Sequence, residues 1–155
     1  MTGRINIRKY LTSQGGQALL ALGKAVRESR LEHSLLHLVE LRASQINGCA
    51  FCIDMHTKEA RALGETEQRL YALTAWRETP FYSERERAAL EWAEAVTRVA
   101  DSHVPDDVYA RVQAQFSEEE MVELTFAIVA TNSFNLLNVS FRTPAGTYQP
   151  EAVHA

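Results

Sequence analysis

Residues 47–56 read Asn47-Gly48-Cys49-Ala50-Phe51-Cys52-Ile53-Asp54-Met55-His56 and contain both cysteines of the 155-residue chain. Asn-Gly suits the left-handed cap that ends a helix, so one helix stops at Asn47-Gly48 and the next begins at the first cysteine. In a helix starting near Cys49, Cys52 and His56 stand at i and i+4 on one face, close enough to share a proton. Two cysteines one turn apart can also close a reversible disulfide. Ten residues therefore hold a nucleophile, a resolving thiol and a proton acceptor.

Working outward, nearly every segment has a helical period, and strand-like alternation with hairpin turns is missing. Upstream, the spacing predicts helices over Glu32 to Ile46 and Gln17 to Arg30, the latter burying Leu19, Leu20, Leu22 and Val26. Downstream, the cysteine helix runs to about Leu63 and ends at Gly64; Thr66 then caps a short helix to Ala75, and Thr79-Pro80 breaks the chain. Ser83-Glu84-Arg85-Glu86 and Ser117-Glu118-Glu119-Glu120 are capping boxes, opening helices to about Ala100 and Val139. Between them, Pro105 starts a helix to Phe116. The expected fold is an all-α bundle forming a single domain over residues 1–155, with irregular ends at 1–16 and 143–155. The last long helix is apolar around most of its circumference (Val122, Leu124, Phe126, Ile128, Val129, Leu136, Leu137 and Val139). Such a helix needs burial on several sides, as a central core helix or against a neighbouring subunit.

A net charge of −4 with basic and acidic residues interspersed, as in Glu84-Arg85-Glu86-Arg87, leaves no basic stripe for nucleic acid. The apolar run from Met121 to Val139 is interrupted by Glu123, Asn132, Asn135 and Asn138, which favours a buried helix over a membrane span. No secretory signal pattern is present, so the expected compartment is the reducing cytoplasm. There a lone Cys-x-x-Cys is catalytic or metal-binding more often than structural.

A thiol attacks as thiolate, and two features promote that form here. The helix N-terminus stabilises negative charge at Cys49 or Cys52, and His56 can take the proton from Cys52. The dipole alone favours Cys49 as attacker, whereas the histidine spacing favours Cys52, the assignment adopted here. Attack on a peroxide gives a sulfenic acid that the other cysteine condenses to a disulfide.

The run Leu41-Arg42-Ala43-Ser44-Gln45-Ile46-Asn47-Gly48-Cys49-Ala50-Phe51-Cys52-Ile53-Asp54-Met55-His56 resembles the signature of the alkylhydroperoxidase D (AhpD-like) family within the carboxymuconolactone decarboxylase superfamily. Glu78 to Leu90 and Asn132-Ser133-Phe134-Asn135 resemble later blocks of the same family. The resemblance implies an all-helical fold, homotrimers or homohexamers, and peroxidase activity with no cofactor or metal. It also implies a hydroperoxide substrate, an external thiol or dithiol reductant, attack by Cys52, resolution by Cys49 and a proton relay through His56. That family places a glutamate twelve positions before the first cysteine, where this chain has His37. Glu40, one turn on, faces nearly the same way, and the sequence leaves open which of His37 and Glu40 completes the relay.

Three other readings compete. The pair could serve a redox sensor or interaction protein with low turnover, or the chain could be a lactone-handling or decarboxylating enzyme of the wider superfamily. Cys49, Cys52 and His56 could also hold zinc with His33 or His37, but the second ligand pair usual in such motifs does not follow. His33 and His37 read more simply as a partly exposed helix pair, and His103 and His154 as loop and tail residues.

Overall fold

The computed structural model of this chain describes residues 2–150. In chain order its helices are α1 (Gln14–Arg27), α2 (His33–Asn47), α3 (Ala50–Ala62), α4 (Glu67–Ala72), α5 (Glu84–Thr97), α6 (Val99–Ser102), α7 (Asp106–Gln113) and α8 (Glu118–Phe141). There are 3-10 turns at Ile7–Tyr10 and Leu73–Glu78, and no strand among the described residues. The expected all-α class holds.

Both expected capping boxes open their helices. Ser83 Oγ and Ser117 Oγ accept from the backbone N–H of Glu86 and Glu120 at 3.2 Å, and those glutamates accept from the serine N–H groups at 2.8 Å. Thr66 caps α4 in the same manner, accepting from the Arg69 N–H at 3.3 Å. Three boundaries differ from expectation. The N-terminal residues through Gly16 are not simply irregular, since they form the 3-10 turn and the start of α1, which Ser13 caps through the Gly16 N–H. Gly16 is required there, because a Cβ would sit 2.5 Å from Leu11 Cα. The helix from Glu84 ends at Thr97, with Arg98 out of helical geometry (φ −105°, ψ 33°) before the single turn of α6. The helix capped by Thr66 gives way to a 3-10 turn at Leu73. The C-terminal segment is irregular from Thr143 to Pro150, while 151–155, including His154, lie outside the described residues.

The central helix is α2, not the long α8. Helices α3, α5 and α8 all pack on α2. Its Leu35, Leu36 and Val39 join Trp92, Leu124 and Ile128 in one apolar cluster, and its Leu38 and Leu41 join Leu73, Trp76 and Leu90 in another. With apolar contact on both sides, α2 has little solvent face, so Glu40 and Ser44 are buried. Helix α8 is long and apolar enough by composition to cross a membrane. Here its inner face packs on α1, α2 and α5. Its outer face exposes Val122, Phe126, Val129, Leu136 and Val139, with Leu136 69% exposed. Asn132 and Asn135 find the cross-helix partners that such a helix requires. Asn47 Nδ2 donates to Asn132 Oδ1 at 2.6 Å and to Asn135 Oδ1 at 3.0 Å, and Asn135 Nδ2 donates to Ser44 Oγ at 3.1 Å.

Candidate active site

Gly48, at φ +65°, ends α2 in the left-handed region, and the Cys49 N–H returns to Ser44 O at 3.0 Å. This turn makes Cys49 the N-cap of α3, its Sγ accepting from the Cys52 N–H at 3.3 Å. Cys49 and Cys52 are joined by a disulfide, with Cα atoms 5.3 Å apart. From α8, Asn138 Nδ2 donates to Cys52 Sγ at 3.6 Å. Two neighbouring helices thus point N–H donors at the two sulfurs, one at each.

The cysteines differ in access. Cys52, His56 and Glu40 line a cavity of about 210 Å³ closed by apolar residues of α1, α3 and α8, including Val26, Met55 and Phe134. Cys49 is not part of its wall. A ligand entering the cavity therefore meets Cys52 first.

Behind Cys52 lies a buried polar cluster built from α2 and α3. His56 Nδ1 is 3.4 Å from both Glu40 Oε2 and Glu59 Oε2, and Glu40 Oε2 is 3.6 Å from His37 Nδ1. These contacts are longer than well-formed hydrogen bonds. Indeed His37 Nδ1, His56 Nδ1 and Glu59 Oε2 are buried with no hydrogen-bond partner. On its far side Glu59 Oε1 accepts from Tyr148 OH at 2.6 Å. The tail carrying Tyr148 is tied to α3, with Lys58 Nζ donating to Tyr148 O at 2.9 Å and the Gly146 N–H to Asp54 at 3.0 Å. The Phe51 ring meets the Tyr148 ring edge-on at 6.5 Å.

Burial pushes the His37 pKa down, outweighing the attraction of Glu40 and Glu59, so its imidazole is held neutral. Burial pushes Glu59 the opposite way, but His56 and Tyr148 outweigh it and keep its carboxyl below the usual range. Glu59 is thus held as a carboxylate and His37 as a neutral imidazole.

The structure brings together all five of the residues singled out in the sequence: Cys49, Cys52, His56, Glu40 and His37. Both of the candidates on α2 face the cluster, Glu40 Oε2 lying 3.4 Å from His56 Nδ1 and 3.6 Å from His37 Nδ1. His33 is exposed and takes no part. Sequence reasoning missed Glu59, Asn138 and Tyr148. Glu59 had a legible signal, lying at i+3 from His56 on the same helix face. Asn138 and Tyr148 had none, since they arrive from α8 and the tail.

Residues 14–95 match the carboxymuconolactone decarboxylase family. The chain is 41% identical over 137 residues to the uncharacterized protein YdfG of Bacillus subtilis (strain 168), covering 88% of this chain and 93% of that one. Among solved structures it resembles a protein of unknown function from Agrobacterium tumefaciens, ATU0492, considered a candidate AhpD-type antioxidant defence protein. That match has TM-score 0.90 and 46% identity over 95% of this chain and 100% of the other. The debrominase Bmp8 shares the fold, with TM-score 0.77 and 21% identity over 85% of this chain and 71% of the other.

Proposed function

Because this chain belongs to the carboxymuconolactone decarboxylase family and has an AhpD-like fold, we propose that it is a thiol-dependent hydroperoxide reductase cycling Cys49 and Cys52 between thiols and disulfide. The observation that carries this reading is the placement of Cys52, His56 and Glu40 on one cavity wall with Cys49 just behind. In the reduced enzyme, the carboxylates of Glu40 and Glu59 hold the Nδ1–H tautomer of His56, so Nε2 is free to accept the Cys52 proton. The Asn138 amide stabilises the thiolate so formed.

The Cys52 thiolate attacks the terminal peroxide oxygen, the O–O bond breaks, and the departing alkoxide takes a proton from the His56 imidazolium. The products are an alcohol and a Cys52 sulfenic acid. Cys49, as thiolate, attacks the sulfenic sulfur, forming the disulfide; the hydroxide expelled takes up the proton Cys49 gave up and leaves as water. An external dithiol then supplies two electrons, attacking Cys52 from the cavity and expelling Cys49. The Cys52 N–H, which already bonds Cys49 Sγ in the disulfide, stabilises that leaving thiolate. His37, half-buried and neutral, buffers the charge of Glu40 in the relay.

The exposed apolar stripe of α8 supports a homotrimer or homohexamer sealed along this helix. A lone Cys-x-x-Cys in a catalytic role supports a cytoplasmic location, where dithiol reductants are present.

The test is peroxide consumption with a dithiol donor, together with sulfenic-acid trapping in single cysteine variants. Cys49→Ser is expected to accumulate the sulfenic acid and Cys52→Ser to give none; the reverse pattern exchanges the two roles. Clean interconversion of thiols and disulfide with no turnover would replace the peroxidase by a redox sensor.

A further inference from the structure

The cluster behind Cys52 is more than a proton relay requires. Helices α2 and α3 each contribute a His-x-x-Glu pair, His37 with Glu40 and His56 with Glu59. Their polar atoms converge, and one atom each from His37, His56 and Glu59 lie within 4.8 Å of one another. The closest approaches, 3.4 Å from His56 Nδ1 to each carboxylate and 3.6 Å from His37 Nδ1 to Glu40, are close to the edge of a zinc tetrahedron. With ligands about 2.0–2.1 Å from the metal, that edge is about 3.3–3.4 Å.

Charge points the same way. Among the described residues, neither Glu40 nor Glu59 has a lysine or arginine partner; the ion pairs of both are with imidazoles alone. Two largely buried carboxylates without a cation are costly, and a bound divalent ion removes that cost. The atoms that would ligate it also lack a closed hydrogen bond. His56, its side chain only 8% exposed, has an unpartnered Nδ1, as does His37, and Glu59 Oε2 is unpartnered as well. A conventional structural cluster would have satisfied these atoms.

We propose that His37, His56 and Glu59 form a binding site for a divalent transition metal of the zinc class, with Glu40 as the carboxylate neighbouring both imidazoles. The nitrogen and carboxylate donor set suits Zn(II) or Co(II) over Mg(II) or Ca(II), which take oxygen ligands. Neither cysteine takes part, so the site differs from a Cys-x-x-Cys zinc motif. Binding displaces the Nδ1 proton of His56, and release of about one proton accompanies it where that nitrogen is protonated.

The experiment is a cobalt titration of the full chain, first freed of metal by chelator, with the Cys49–Cys52 disulfide intact and verified by thiol titration. One equivalent of Co(II) is expected to bind, giving the intense visible absorption of four-coordinate cobalt without a thiolate charge-transfer band, and Zn(II) is expected to abolish that absorption. His37→Ala and Glu59→Gln are each expected to weaken binding at least about tenfold, while His33→Ala, on the exposed face of α2, leaves it unchanged. Circular dichroism of each variant separates loss of the site from loss of the fold. No saturable binding by the oxidised wild-type chain would overturn the site. So would unchanged affinity in both folded site variants, or binding confined to reduced protein with a thiolate band. The titration uses no peroxide, so a chain that fails as a peroxidase can still pass it, and a working peroxidase that binds no cobalt loses only the metal site.

Discussion

Two carboxylate clusters flank α2, and they are built to opposite standards. On one side Glu94 of α5 accepts from Arg42 Nε at 2.8 Å, Trp76 Nε1 at 2.9 Å and Arg77 Nη1 at 2.6 Å. Burial would raise its pKa, but these three donors together hold its carboxyl below the usual range. On the other side Glu40 and Glu59 face imidazoles at 3.4 Å or more, with one hydrogen bond from Tyr148 OH to Glu59 at 2.6 Å, and leave buried atoms unpaired. A cluster that exists to hold helices together closes every hydrogen bond. One that must accept a proton, or an ion, is left open, and the cost is borne by the rest of the fold.

The sharpest way to break this comparison is to substitute on each side and ask which property moves. His56→Gln is expected to lower kcat/KM for a hydroperoxide by roughly 10²–10⁴-fold, the usual worth of a general base, with little change in melting temperature. Equal losses of activity and stability would put His56 among the structural residues. Glu94→Gln is expected to do the opposite. It leaves the half-buried Arg42 without a counter-charge, costing about 2–4 kcal/mol of stability in a denaturant titration, with the remaining folded protein turning over normally.

The closed side carries a pH signature as well. The folded-state pKa of Glu94 lies below its unfolded value near 4.5, so its contribution is fully present above that value and is lost as pH falls through the folded pKa. Thermal melts between neutral pH and acid are expected to fall less steeply for Glu94→Gln than for the wild type. The smallest effect is expected at Tyr148→Phe, which removes one hydrogen bond to Glu59, about 0.5–1.5 kcal/mol or up to roughly tenfold in kcat/KM. A shift in the pH–rate profile of this variant, with unchanged stability, would show that the tail tunes the relay; an unchanged profile would leave Tyr148 as a clasp.

The helices were legible because their signals are local. Two capping boxes, the Thr66 cap and the Asn47-Gly48 stop each act within a turn of their own residues. The N-terminus was misread because Ser13-Gln14-Gly15-Gly16 looks like a loop, whereas Gly16 is there to let the 3-10 turn approach α1. Of the two places expected for α8, the centre of the core is taken by α2, while α8 keeps an exposed apolar stripe. Composition shows how apolar a helix is but not how much of its circumference its neighbours cover.

The candidate site divides along the same line. The sequence by itself determined the Cys49, Cys52 and His56 constellation, since a C-x-x-C-x-x-x-H spacing on one helix sets side chains on one face through backbone geometry alone. Only the tertiary structure decided that Glu40 lies against both His56 and His37, that Asn138 caps the Cys52 sulfur and that Tyr148 closes on Glu59. Those contacts join α2, α3, α8 and the tail, and they depend on how the helices cross. Crossing is set by the whole buried surface, which no local spacing encodes.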